Sequence, residues 1–205
     1  MAVKCLRNLR ATADVEIVAA VDHDPETARR IAPLVDVLNV CPTYRGCSAA
    51  WNACLAEATG EQIVFAADDL SWGEGWLAAA LEHLDAFDDG WGMVGFNDGH
   101  WDGNQLSTHY LMSRRFIVEV LGGVVAWDFY RHSFNDLEVN ERAKAAGRFI
   151  WAESAHVPHA HWTYGDRPQD ATDSRTLGEH AAAAARFEER KAAGFPIDYP
   201  PVITE

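Results

Sequence analysis

The run from Glu61 to Trp76, EQIVFAADDLSWGEGW, limits what this chain can fold into more than any other stretch. Ile63, Val64 and Phe65 make an apolar, partly β-branched run that reads as a buried strand, and it stops at two adjacent carboxylates, Asp68 and Asp69. Burying those charges unpaired is costly, so the strand is expected to end at an edge open to water, a cation or a ligand. In an open α/β sheet, ligands bind at that end of a strand. Successive residues of an extended chain face opposite sides, which gives the two acids different roles, one on a metal and the other on a sugar hydroxyl or ribose. The plainer alternative is a turn with two solvated acids.

The flanks favour a βα unit. Upstream, GCSAAWNACLAEATG reads as a helix with Ser48 as its N-cap, Trp51, Leu55 and Ala58 at helical spacing, and Gly60 at the C-cap position. Downstream, Trp76, Leu77, Ala80, Leu81 and Leu84 line one face of a second helix. Helix, buried strand, acidic end and helix together indicate an α/β fold with a mostly parallel central sheet flanked by helices.

The rest of the chain extends the alternation. Residues 3–10 read as a short helix, 15–21 (VEIVAAV) as a buried strand ending in Asp22, and Asp24 with Pro25 as a helix start. Strands are expected at 35–41, 91–96, 108–112 and 148–152. Ser113 caps a helix that Gly122-Gly123 ends, another helix runs from Asp136 to Gly147, and an Ala-rich helix covers 177–193. The thin apolar face of that last helix suits an edge or a second subunit, so a homo-oligomer is one expectation. Thr163 to Arg175 is polar and reads as a mobile segment near the site, and Gly99 to Gln105, with Trp101, as the lip of a binding cleft.

Composition narrows the function classes. A chain of 205 residues with 48% apolar content supports one domain with a sizeable core. A net charge of -14 without a basic run argues against nucleic acid and anionic membranes as partners. No stretch is long and apolar enough to span a bilayer. Cys5, Cys41, Cys47 and Cys54 lack C-x-x-C spacing and read as reduced, cytoplasmic thiols.

Three further clusters carry chemistry. Arg45 could pair with a phosphate and Tyr44 stack on a base, although an Arg beside a turn is ordinary. Asp136 enters a helix and by default caps it, worth about 1 kcal/mol. His159 and His161, two apart on an extended segment, face one side and suit one ion or one phosphate, or else form a surface pair that binds nothing.

The order N-A-C-L-A-E-A-T-G-E-Q-I-V-F-A-A-D-D-L, with Trp76-Leu77 beyond it, resembles the nucleotide-sugar-binding half of GT-A fold glycosyltransferases, family-2-like. Ala67 stands where a strict D-x-D motif has its first Asp. The resemblance implies Asp69 as a metal ligand, with His161 first and His159 second as the imidazole ligand, and Mn2+ preferred over Mg2+. It implies Asp22, Arg45, Asn52 and Asp68 as nucleotide-sugar-binding residues, and Asp136 as the base that activates an acceptor hydroxyl, with Glu138 as the lesser candidate. Residues 1–98 are then the donor half, 99–162 the acceptor half, and 163–205 a loop and C-terminal helix. The resemblance also implies a strand ahead of the first helix, whereas this chain opens inside that helix; upstream residues, a partner chain or the C-terminal tail would complete the sheet.

The reaction implied is metal-dependent, inverting transfer of a sugar from a nucleoside diphosphate donor to a hydroxyl acceptor. Two rivals share the scaffold: a nucleotidyltransferase, for which no G-x-G-x-x-G or Walker pattern is present, and a degenerate donor-binding module.

Overall fold

The computed structural model describes residues 1–100 and 106–204. Helix α1 (Ala2–Thr12) opens the chain, followed by β1 (Val18–Asp22), α2 (Pro25–Ile31), β2 (Val37–Cys41), α3 (Cys47–Glu57), β3 (Gln62–Phe65) and α4 (Trp76–Leu84). Then come β4 (Met93–Asn97), β5 (Tyr110–Ser113), α5 (Arg114–Glu119), α6 (Asn135–Ala145), β6 (Phe149–His156) and α7 (Ala171–Ala192).

Two sheets carry the α/β architecture. Strands β1 and β2 pair in parallel, and a four-stranded sheet has the order β3-β5-β4-β6. Within the larger sheet β4 and β6 are parallel, while β5 runs antiparallel to both β3 and β4. The expected mostly parallel sheet is thus parallel in two pairs and reversed at β5. No crossover helix lies among the described residues between β4 and β5, and a parallel return usually needs one.

The central strands read as unbroken apolar runs because both their faces are covered. Val94, Phe96 and Leu111 pack with Trp76, Ala80 and Leu84 of α4 on one face. Met93, Tyr110 and Met112 pack on the other with Phe116, Trp127, Val139 and Ala143. Adjacent residues Met93 and Val94 therefore enter different cores, as the pleat dictates.

Helices α1 and α3 span the two sheets. From α1, Val3 and Leu6 join Val21 and Ile31 beside the small sheet, whereas Cys5 and Leu9 join the α4 core. From α3, the Trp51 ring lies 4.0 Å from Phe65 of β3, and the Ala53 carbonyl accepts from Asn39 of β2 at 3.5 Å. Where α3 ends, the expected cap at Gly60 is displaced. Arg114 takes the carbonyls of Ala58 and Gly60, which pulls Ala58 into extended backbone. Ser48, expected as the N-cap, lies inside α3, and Gly46 takes the cap position.

The C-terminal segment is fastened through buried charge. Glu138, fully buried, receives Arg142 at 3.0 and 2.8 Å. It also receives Arg190 of α7 at 2.9 and 3.0 Å and the Tyr130 hydroxyl at 2.7 Å. Asp198 balances the second guanidinium from 3.0 Å. Every oxygen lone pair of Glu138 is directed at protein, so this group cannot serve as the alternative base and instead locks α6 to α7. Replacing it by Gln leaves two buried guanidiniums undercompensated. Glu138→Gln is expected to lower unfolding free energy by about 3–5 kcal/mol in a urea titration, the usual cost of breaking a buried ion network.

Candidate active site

The acid pair is placed by backbone pairing. After β6 the chain turns back along the segment that follows β3: Leu70 and His159 form an antiparallel bridge. The N–H of Ala160 donates to the Asp69 carbonyl at 3.0 Å, that of Ser71 to Pro158 at 2.9 Å, and that of Gly73 to His156 at 3.2 Å. Position 73 must be glycine for this approach, because a Cβ there would lie 2.8 Å from the His156 carbonyl oxygen.

This crossing brings the Asp69 carboxylate to 3.3 Å from His159 Nε2, with both side chains about nine-tenths buried. Burial pushes the Asp69 pKa up, but the His159 hydrogen bond and the charges of His159, His109 and Arg167 outweigh it and hold the group below its ordinary value. The other oxygen, Oδ1, is buried and has no hydrogen-bond partner among the described residues. Asp68 stands at the rim, where desolvation and then the neighbouring Asp69 charge raise its pKa.

His159, not His161, makes the contact with Asp69. The N–H of His161 bonds the His159 carbonyl at 2.9 Å, a tight turn that breaks the extended geometry on which equal facing depended. The His161 ring lies 5.1 Å from that of His159, and its Nδ1 sits 2.6 Å from the Thr163 hydroxyl. The Thr163 N–H also donates to that nitrogen. Nδ1 is thus the acceptor, and the neutral ring carries its proton on Nε2.

His109 was not among the sequence candidates. Its ring meets His159 edge-on at 4.8 Å. Thr108 gives its hydroxyl proton to Asp98 at 2.7 Å, so it accepts from His109 Nδ1 at 3.0 Å. Burial, then the charge of His159, pushes the His109 pKa down to about 3, so the ring is neutral at physiological pH. A Thr-His pair at a strand entry was the only signal for it.

Asp136 lies in the first turn of α6 but does not cap it; among the described residues its carboxylate accepts only the N–H of Leu137, at 3.0 Å. The helix start is positioned by Asn135, which accepts the Trp127 N–H at 2.7 Å and donates to Ser48. Burial raises the Asp136 pKa, and the His159 charge acts against the shift. Tyr110, whose buried hydroxyl has no partner among the described residues, feels the charges of Asp136 and Cys47. Asp136 thus lies within electrostatic reach of Tyr110 on one side and of His159, the partner of Asp69, on the other.

The remaining candidates hold loops. Asp22 accepts the N–H groups of Arg45 and Gly46 at 2.8 and 2.7 Å and so fixes the entry to α3. Arg45 lines a cavity of about 340 Å3 with Asn52, Asp128 and Tyr199. The Asn52 amide donates to Ala126 at 2.7 Å and accepts from Val125 at 3.1 Å, tying α3 to that segment. Tyr44 is covered by Arg175, whose guanidinium carbon is 4.1 Å from the ring centre. Trp101 and the cleft lip at 101–105 lie outside the described residues.

An N/O donor pair such as Asp69 and His159 suits Mn2+ or Mg2+. Two ligands at right angles around an ion at about 2.1 Å stand about 3 Å apart, close to the separation of these two side chains. The orphaned Asp69 Oδ1 is a further free donor. Among the described residues no three His, Cys, Asp or Glu side chains are grouped to hold an ion, so the remaining ligands of a cation here would be water or substrate oxygens.

Two tests follow from this geometry. Gly73→Ala should push the acid loop away from His156 and abolish Mn2+-dependent diphosphate binding measured by calorimetry. Asp136→Asn should raise the melting temperature at pH 7: a raised folded pKa means ionisation weakens the fold. That gain should vanish below about pH 4, where the carboxyl is protonated in both folded and unfolded chains.

The description Glycosyl transferase family 2 matches residues 2–162. No curated protein matches. Among solved structures, a mannosyltransferase from Pyrobaculum calidifontis in complex with GDP-Man and Mn2+ is 18% identical, with TM-score 0.59, covering 94% of this chain and 71% of its own. The 1–349 segment of S. aureus TarS in complex with UDP-GlcNAc is 11% identical, with TM-score 0.58, covering 93% and 68%. Glucosyl-3-phosphoglycerate synthase from Mycobacterium tuberculosis, in complex with phosphoglyceric acid, is 14% identical, with TM-score 0.55, covering 84% and 69%. With most of its length matched, the chain belongs to glycosyl transferase family 2 and is a glycosyltransferase of the GT-A fold.

Proposed function

We propose that the protein transfers a sugar from a nucleoside diphosphate donor to a hydroxyl acceptor, with inversion at the anomeric carbon and with the help of a divalent cation, Mn2+ or Mg2+. The observation that carries the proposal is the buried contact of Asp69 with His159, in which one carboxylate oxygen is left without a partner among the described residues. Neighbours of the same fold are described with GDP-Man and Mn2+ or with UDP-GlcNAc.

In this reading Asp69 and His159 would hold the cation, which when bound supplies positive charge against the departing diphosphate. His161, with its proton on Nε2, donates to a phosphate oxygen. Asp68 at the rim takes a sugar or ribose hydroxyl, and Arg45 lies on the donor side. Asp136 accepts the proton of the acceptor hydroxyl as that oxygen bonds to the anomeric carbon and the bond to the diphosphate oxygen breaks on the opposite face. A carboxyl whose pKa is raised by burial is a stronger base than a solvated one, which suits it to this role. Residues up to about 98 then form the donor half and 99–162 the acceptor half.

Among the described residues no helix is long and apolar enough to cross a membrane. All four cysteines are unpaired, which supports a reducing, cytoplasmic setting. The test is Asp136→Asn with a panel of nucleoside diphosphate sugars. Donor hydrolysis is expected to fall about 10²–10⁴-fold while nucleoside diphosphate binding persists. Wild-type rates in that variant would remove Asp136 from the mechanism.

A further inference from the structure

Arg167 lies beyond the residues matched by the family description, which end at 162, yet it reaches the acid pair. Its Nε stands 3.7 Å from the Asp69 carboxylate, and the side chain is largely buried. Among the groups whose charges bear on Asp69, Arg167 alone carries a guanidinium, which stays protonated throughout the physiological range. The site therefore contains a permanent cation supplied by the C-terminal segment.

Its position is over-determined. Asp173 grips the guanidinium fork at 2.6 and 2.8 Å, and Nε donates to the Ala160 carbonyl at 3.0 Å. Nη1 also donates to Pro168 at 3.1 Å. Asp173 is itself fixed by the capping box that opens α7, where the Asp170 side chain accepts the Asp173 N–H and Asp173 accepts that of Asp170. Four of the five N–H groups of the guanidinium are thereby engaged, and one on Nη2 is left without a partner among the described residues. The cation is held rigidly with an N–H to spare, at the carboxylate where the phosphates of the sugar donor are placed.

The surroundings make that charge consequential. Asp68, Asp69, Asp170 and Asp173 are gathered within reach of Arg167. An incoming diphosphate meets this acidic wall and needs neutralisation beyond what one divalent ion with two protein ligands provides.

We propose that Arg167 is a diphosphate-binding residue, which contacts the phosphates of the donor alongside the cation at Asp69 and so makes the start of α7 part of the donor site. The proposal rests on the donor-binding reading above. It also accounts for the contacts of the segment 163–170. Tyr164 stacks on His100 at 4.0 Å and Asp166 pairs with that imidazole at 3.0 Å, which carries Arg167 into place.

The experiment is calorimetric titration of wild type, Arg167→Lys and Arg167→Met with GDP, UDP and the corresponding monophosphates, each with Mn2+ and with EDTA. Arg167→Met should bind the diphosphates at least tenfold more weakly with Mn2+ and more weakly still in EDTA, with a smaller loss for the monophosphates. Arg167→Lys, which keeps the charge without the fork, should fall between. A purely structural role predicts equal losses for mono- and diphosphates and no rescue by Lys, and that result overturns the proposal. Wild-type affinity in Arg167→Met also overturns it while leaving the donor site standing. Failure of wild type to bind either diphosphate under both conditions overturns both readings together.

Discussion

The antiparallel crossing of the segment after β6 over the segment after β3 is the constraint on which the site depends. Apart from His156, the last residue of β6, neither segment belongs to a strand of the sheet, and three backbone hydrogen bonds around Leu70 and His159 hold them together. Without the crossing, Asp69 would be a solvated acid at a strand end and His159 a surface imidazole. With it, the two come within 3.3 Å in a largely buried setting where charge interactions are strong. Gly73 permits the approach, and the α4 core beneath, with Trp72, Trp76, Phe96 and Val157, supports it.

Buried charge serves two separate purposes in this molecule. Around Glu138 two guanidiniums, a tyrosine hydroxyl and Asp198 complete one another, so the network is closed and its role is to fasten α6, α7 and the tail. Around Asp69 the network is open. Among the described residues one carboxylate oxygen is orphaned, Tyr110 has an unpartnered hydroxyl, and Asp136 is held by a single backbone donor. An unsatisfied buried polar atom costs free energy in the folded chain, and a ligand that supplies the missing partners recovers it. The contrast separates scaffold from site more sharply than residue type does, since both networks are built from Asp, Glu and Arg.

Much of the fold was legible in the sequence because the hydrophobic periods are strong. The β3 run with its acidic end, the Asp24-Pro25 helix start and the Ser113 cap are local signals, and each is realised. What escaped was set by distant contacts. The division into two sheets and the reversal at β5 depend on which strands meet, and Gly60 failed as a cap because Arg114, far along the chain, claims the carbonyls there. Helix α7 starts at Ala171, well before its apolar pattern begins at Leu177, because Asp170 and Asp173 cap it. The site followed the same rule. Asp69 and Asp136 were visible by their positions at element ends. The partnership of Asp69 with His159, ahead of His161, turns on a tight turn, and His109 and Arg167 reach the acid pair only through tertiary packing.

The central claim is that Asp69 and His159 share one divalent cation with the phosphates of a nucleotide donor. A crystal structure with Mn2+ and a nucleoside diphosphate, read by anomalous scattering at the manganese edge, tests it most directly. The account predicts one peak bonded to both the Asp69 carboxylate and His159 Nε2, with phosphate oxygens completing its shell. A peak elsewhere, or a bound diphosphate with His159 still paired to Asp69 and no metal between them and the phosphates, would contradict it.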